Sequence, residues 1–317
     1  MSRSPDDRAP TAGPLRPARV RVPCSTSNLG GGFDCVGLAL DRFLDVRFEP
    51  GSDALSVVTE SGEPPPAGEN LVERAFREWL RERGTEPTGR VHVRSDIPIG
   101  RGLGSSAAAL VAGAALGQLA ASEPLQPDAA FDRAARAESH GDNAAPSAYG
   151  GLVVVIPSDN GIRALPRPLS PDLGFAFVAP PTITSTRAAR AALPETVPHH
   201  LAAAALPRLA ALLHGLATAD PDLLRIGFDD RLHVPHRIRL IPGGAEAITA
   251  ARDAGAWGAT VSGSGSGLIA VGPDSATDDL ARAMRHALER YHDPATIEAG
   301  RVRPVHTGVH ALEPTAA

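Results

Sequence analysis

Ile97-Pro98-Ile99-Gly100-Arg101-Gly102-Leu103-Gly104-Ser105-Ser106-Ala107-Ala108 is a glycine-rich turn that opens directly into an alanine-rich helix. His92, Val93 and their neighbours read as a strand feeding the turn. Ala107 to Ala121 is strong helix-forming sequence with few bulky side chains. Glycine has no Cβ, so the backbone can approach a ligand closely and take positive φ. The free N–H groups and the positive dipole end of the helix then favour a phosphate. Ser105 and Ser106 stand where a hydroxyl can cap the helix or reach a metal bound to that phosphate. A Walker loop would carry a lysine after its last glycine. This chain contains no lysine, and all 31 of its Lys-plus-Arg residues are arginine. Charge at a phosphate must therefore come from backbone amides, a metal ion or an arginine such as Arg101. A strand–turn–helix packing motif is the plain alternative for one such turn.

The 317 residues suit two fused domains or one large one. Hydrophobic residues at 43% and charged residues at 21% are ordinary for a soluble globular protein. A net charge of −5, with arginines scattered, gives no reason to expect nucleic-acid binding. Cys24 and Cys35 cannot make a disulfide framework. The start of the chain is polar and proline-rich without an apolar core, so no signal peptide is expected. The helix at 107–121 is too short to span a bilayer. A cytoplasmic protein with no membrane partner is the expectation.

Residues 1–17 read as a disordered tail. Val20 to Val22, Leu44 to Phe48 and Leu55 to Thr59 read as strands, and Ser61 to Gly68 as a Pro/Gly loop. Asn70 to Arg83 has helical period, with Leu71, Ala75, Trp79 and Leu80 on one side. Pro127 to Glu138 is a further helix, followed by a polar elbow, Ser139-His140-Gly141-Asp142-Asn143. Strands are expected over Leu152 to Ile156 and Phe175 to Ala179, with a domain boundary near residues 160–180. Beyond it come helices at about 198–218, 244–254 and 275–291. Ala259 to Ser262 and Leu268 to Val271 flank Gly263-Ser264-Gly265-Ser266-Gly267, and a final strand is expected near 301–306. Without regular βαβ spacing the class is α+β.

Three glycine-rich segments with distinct flanks, Pro23 to Asp34, Pro98 to Ala108 and Gly258 to Gly267, resemble the signature motifs of the GHMP kinases. Within that family the pattern is similar to the homoserine kinase branch. Ser27-Asn28-Leu29-Gly30-Gly31-Gly32-Phe33-Asp34 resembles its Ala-Asn-Leu-Gly-Pro-Gly-Phe-Asp segment. His140-Gly141-Asp142-Asn143-Ala144-Ala145-Pro146, Ser185-Thr186 to Pro194, and Asp230 to Arg237 resemble three further blocks in order. Gly31, Gly141 and Ser266-Gly267 depart from the branch pattern, at turns.

The resemblance implies a two-domain GHMP kinase fold. A ribosomal-protein-like α+β domain at 18–170 would precede a ferredoxin-like α+β domain at 171–317. It implies ATP on Pro98, Ile99, Gly100, Arg101, Gly102, Leu103, Gly104, Ser105, Ser106, Ala107 and Ala108. It implies L-homoserine on Asn28, Asp34, His140, Asn143, Thr186, Arg190, Arg237 and Gly263, and a homodimer. Arg190 and Arg237 suit a carboxylate through paired hydrogen bonds, and Asp34 suits an ammonium by charge. Magnesium would take the Ser106 hydroxyl and a carboxylate before His140, with Glu138 the first choice and Asp132 the alternative. Asn143 stands where other family members carry a carboxylate base, and an amide cannot take a proton. Two rivals remain: a kinase for another small hydroxy-acid or amino alcohol, and a catalytically silent nucleotide-binding regulator on the same fold.

Overall fold

The computed structural model describes residues 13–64, 70–159 and 161–313. Strand β1 is Ala18–Ser27 and β2 is Val36–Ala54. They pair antiparallel along all of β1, with Ala18 opposite Phe48 and Ser27 opposite Gly37. There follow β3 (Ser56–Ser61), α1 (Leu71–Arg81), β4 (Thr88–Ser95), α2 (Ser105–Ala120), α3 (Pro127–Glu138), α4 (Ala144–Tyr149), β5 (Leu152–Ser158) and β6 (Gly161–Arg167). Long β2 is shared: Val36–Leu38 pairs with β5, and the stretch from Leu44 pairs with β4. Asn70 starts α1, its side-chain oxygen accepting the Val72 and Glu73 N–H groups at 3.0 and 3.2 Å. Val72, Ala75, Phe76, Trp79 and Leu80 recur at helical spacing and bury one face of α1. α2 is apolar all round and buried on most sides, as a central helix should be.

The second half supplies β7 (Leu173–Ala179), α5 (Thr186–Ala191), α6 (His199–Thr218), α7 (Pro221–Gly227), α8 (Val234–Arg237), α9 (Gly244–Asp253), β8 (Gly258–Val261), β9 (Leu268–Pro273), α10 (Thr277–Leu288), β10 (Glu298–Val302) and β11 (His310–Ala311). Its antiparallel sheet runs β10-β7-β9-β8. Every residue of β7 is buried, yet the strand still alternates. Phe175 and Phe177 enter the core shared with the first sheet, while Ala176 and Val178 enter a second core under α9 and α10. β9 divides likewise, Ile269 and Val271 against Leu268 and Ala270. Period-2 geometry thus serves two apolar layers at once. The architecture is α+β.

Several boundaries differ from the sequence expectation. The expected tail lies outside the described residues up to 12, but Leu15 packs on the core and the Arg16 N–H donates to Ala120 O at 2.9 Å. Part of the expected Ser61–Gly68 loop, residues 65–68, also lies outside the described residues. The strand expected at 301–306 is Glu298–Val302, because after Val302 the chain leaves β7 and turns to β2, where Pro304 bridges Leu40. The residues after it, expected with the second domain, return to the first sheet. The Asp41 N–H donates to Arg303 O at 2.9 Å, and β11 pairs with β1. Helix α6 alone among the described residues is long and apolar enough, by length and composition, to cross a membrane. It buries Leu212, Gly215 and Leu216, with Gly215 tight against Leu224 of α7.

Gly37 sets the height of the polar elbow above the sheet. A Cβ there would lie 1.8 Å from the backbone oxygen of Asp142, so the elbow rests directly on β2. Gly37→Ala is expected to cost about 1–3 kcal/mol of stability and to displace the elbow. A denaturant titration together with an activity assay checks this; an unchanged midpoint with full activity would refute the close approach.

Candidate active site

The end of β1 carries three consecutive hydroxyl residues, Ser25, Thr26 and Ser27, all fully buried. Buried hydroxyls are costly unless hydrogen-bonded, and these are. Thr26 donates to the Ser262 hydroxyl at 2.9 Å, which in turn donates to Gly102 O at 2.6 Å. Ser27 O accepts the Gly263 N–H at 2.9 Å, and Ser25 N–H donates to Leu103 O at 3.2 Å. The Ser25 hydroxyl reaches both Asn143 O and Oδ1 at 3.0 Å, and Asn143 Nδ2 donates to Ser27 Oγ at 2.8 Å. One strand end therefore holds the phosphate-type turn, the last glycine loop and the polar elbow together. The fit leaves no room for side chains: a Cβ on Gly102, where φ is +74°, would meet Ser262 O at 2.1 Å.

At the turn, Gly104 is the left-handed residue preceding α2, and no side chain caps the helix. Ser105 and Ser106 are therefore not capping residues. Both line a cavity of about 330 Å³ with Asn70, Leu71, Val93 and Ile97, and its apolar walls suit a flat base beside a helix start. The side chains of Leu103, Ala107 and Ala108, expected among the ATP contacts, lie in the core and seat the turn, so any contact they make with a phosphate would be through backbone N–H groups. Arg101 lies 4.0 Å from Glu63, and Glu63 accepts the Ile99 N–H at 3.3 Å.

The elbow brings together Glu138, His140 and Asp142. His140 Nδ1 donates to Asp142 Oδ1 at 2.8 Å. That hydrogen bond, against burial, holds the imidazole above its usual range. Burial opposes the Asp142 charge, but the same bond and the His140 charge keep its carboxyl below the usual range. Glu138 has no such partner. Burial pushes it up to about 7, and its Oε2 is buried without a hydrogen-bond partner. Asp132, the other metal candidate, is exposed. Among the described residues no three His, Cys, Asp or Glu side chains cluster as a metal site. A cation here would accordingly draw most of its ligands from phosphate and water.

The expected acceptor residues converge with different degrees of freedom. Asn28 is committed to the protein. Its Nδ2 donates to Ser27 Oγ and Gly263 O at 3.2 and 3.1 Å, and its Oδ1 accepts the Asp34 N–H at 2.8 Å. Gly263 O also accepts from Arg237 Nη1 at 3.0 Å, so Asn28, Asn143 and Gly263 brace the site. Arg237 is 2% exposed, lies 5.0 Å over the Phe33 ring, and leaves its Nε without a partner. Asp34 is not free: Arg190 grips it twice, at 2.9 and 3.0 Å. Thr186 is the exposed first residue of α5.

Sequence reasoning missed His233. This residue is fully buried, stacks on Phe33 at 5.0 Å and meets Gly30 O at 3.1 Å. Burial pushes it down to about 4, so it stays a neutral wedge under the substrate-type loop. The run Ser25-Thr26-Ser27 was missed as well; its signal was three consecutive hydroxyl residues closing a strand whose earlier half alternates apolar residues with arginine.

Because the Glu138 pKa lies above its unfolded value of 4.5, ionising it opposes folding. That cost is absent below about pH 4.5 and grows until about pH 7. Glu138→Gln should match the parent's stability near pH 4.5 and exceed it, on the order of 2 kcal/mol, above pH 7. Thermal midpoints across that range test it; parallel curves would refute the burial.

The GHMP kinases N terminal domain profile matches residues 70–151, and the GHMP kinases C terminal profile matches residues 209–290. A homoserine kinase from Synechococcus sp. (strain CC9902) is 40% identical over 278 residues, 85% of this chain and 88% of that protein. One from Moorella thermoacetica is 41% identical over 255 residues, 79% of this chain and 86% of that protein. The crystal structure of homoserine kinase from Cytophaga hutchinsonii superposes with a TM-score of 0.80 at 26% identity, covering 98% of this chain and 99% of that one.

Proposed function

The chain belongs to the GHMP kinases, and on that premise we propose that it transfers the γ-phosphoryl group of ATP to the side-chain hydroxyl of L-homoserine, yielding O-phospho-L-homoserine. The observation that carries the acceptor is Arg237, a buried guanidinium to which no carboxylate is bonded among the described residues. Burial lowers it against the pull of Asp34. A substrate carboxylate would supply what the protein withholds. Asp34 offers a place for an ammonium in the same pocket. The relatives bear the name of this activity at about 40% identity.

Phosphoryl transfer asks mainly for positioning and charge neutralisation. The uncapped start of α2 presents N–H groups to the phosphates, and the cavity beside it takes the adenosine. Ser106 and Glu138 fit a magnesium ion, since Glu138 brings a buried, unpartnered oxygen and Ser106 an uncommitted hydroxyl. When bound, that ion would neutralise phosphate charge. Asn143 takes no proton, and its amide is tied to Ser25 and Ser27. As the family resemblance implies, the hydroxyl proton would be lost late or passed to a phosphate oxygen without a dedicated strong base. On this proposal the enzyme is a cytoplasmic homodimer of threonine biosynthesis, with no nucleic-acid or membrane partner.

ADP release from MgATP should depend on L-homoserine. Equal release without it, or none with it, would sink the proposal in favour of another acceptor or of a silent nucleotide binder. Ser106→Ala should leave the fold intact and lower turnover about tenfold or more, some ~1.4 kcal/mol of barrier. Arg237→Ala should raise the KM for L-homoserine by the equivalent of about 2–5 kcal/mol while moving the KM for ATP far less.

A further inference from the structure

Helix α6 leaves most of its apolar surface in solvent. Its buried residues are Leu212, Gly215 and Leu216, and Leu209 and Leu213 pack against the same core. On the other side His199, Ala203, Leu206, Pro207, Ala210 and His214 are exposed, Leu206 by 72%. Steps of three and four residues join them into one face along the helix. That face carries no Asp, Glu or Arg. The helix has one arginine, Arg208, and it turns inward. Its Nε and Nη2 donate to Asp229 O and Oδ2 at 2.6 and 2.9 Å, and its Nη1 donates to Ala204 O at 2.7 Å. Contiguous apolar surface of this kind marks a contact with another molecule.

The rest of this sequence holds nothing to cover it. Residues 1–12, 65–69, 160 and 314–317, outside those described, include Met1 as their one large apolar side chain. A lipid surface fits poorly, because helices that lie on one carry Lys or Arg beside the apolar face. The face does match itself. Outward from the Leu206–Pro207 bond it is the same in both directions: Ala203 and Ala210 come next, then His199 and His214. A two-fold axis demands such a palindrome, since one patch must receive a second copy of itself. The alanines on either side of the centre let two helices approach to the short end of the usual range of about 8–10 Å.

We propose that α6 is the contact of a symmetric dimer. Two copies pack their α6 helices antiparallel about an axis at Leu206–Pro207, with Ala203 of each over Ala210 of the other. Arg208 keeps the inward side on the Asp229 turn, so the contact uses the outward side alone. This gives the homodimer of the reading above its interface and stands apart from the choice of acceptor.

The test is sedimentation equilibrium of the full chain at micromolar concentration, where the parent should be a dimer. Ala203→Glu and Ala210→Arg, each alone, set a charge against an alanine twice per dimer. Each should raise the dissociation constant about tenfold or more. The double variant sets Glu against Arg at both places and should dimerise again, to within a few-fold of the parent. Leu206→Gln adds no charge and keeps a good helix former, so it serves should a charged variant fail to fold; it too should weaken the dimer about tenfold. A monomeric parent overturns the proposal, and so does a parent dimer that the single variants leave intact. A double variant no tighter than the singles overturns the antiparallel register. Co-sedimentation of a monomeric parent with phosphatidylcholine–phosphatidylglycerol vesicles, lost in Leu206→Gln, would assign the face to lipid instead. Failure of the kinase assignment is read separately, as absent turnover of L-homoserine by the parent, and leaves the interface standing.

Discussion

Everything at the site depends on three buried hydroxyls at the end of one strand. Ser25, Thr26 and Ser27 carry no exposed surface, and leaving any of them unbonded would cost of order 1–3 kcal/mol. The hydroxyls bond Asn143 and, through Ser262, Gly102, while the Ser27 carbonyl accepts the Gly263 N–H, so the strand end reaches all three segments that make the pocket. Satisfying the strand end and assembling the pocket are therefore the same event. Glycines make it possible, since Gly37 and Gly102 allow backbone to meet backbone where any Cβ would intrude.

The charges around this scaffold are arranged at the expense of stability. Arg237 is buried on a backbone oxygen and an aromatic face. Glu138 is held near neutrality by burial, two residues from a well-formed His140–Asp142 pair. Buried ionisable groups without partners oppose folding, so their persistence points to ligands that complete them. With no lysine in the chain, charge at a bound phosphate would fall to backbone amides, a cation or an arginine such as Arg101, and a planar guanidinium fork suits a carboxylate.

Much of the fold is legible in one dimension. The strand–turn–helix at 97–121 and the elbow at 139–143 follow from local patterns. So does the helix whose apolar face runs from Val72 to Leu80, because glycine turns, helical period and capping are short-range properties. β7 and β9 read as apolar runs, but their two-faced burial is hidden, since alternation disappears when both layers are apolar. The strand predicted at 301–306 is displaced because after Val302 the chain leaves β7 for β2, a switch set by distant partners and not by its own residues.

At the site, residue types are readable and their engagements are not. Asn28, Asp34, Arg190 and Arg237 can be picked out as groups fit for a zwitterion, because charge and hydrogen-bonding capacity belong to the side chain itself. Their engagements depend on distance. Asn28 and Gly263 are consumed as braces, Asp34 is held by an arginine 156 residues away, and Arg237 has no carboxylate bonded to it among the described residues. Likewise the burial that raises Glu138 while Asp132 stays exposed is set by packing and not by the two residues' places in the sequence. The amino-acid order determined which chemistry the chain could hold and where its turns would fall. Only the packing of distant segments decided which of those groups are spent on the fold and which remain for a ligand, since desolvation and pairing are properties of neighbours in space.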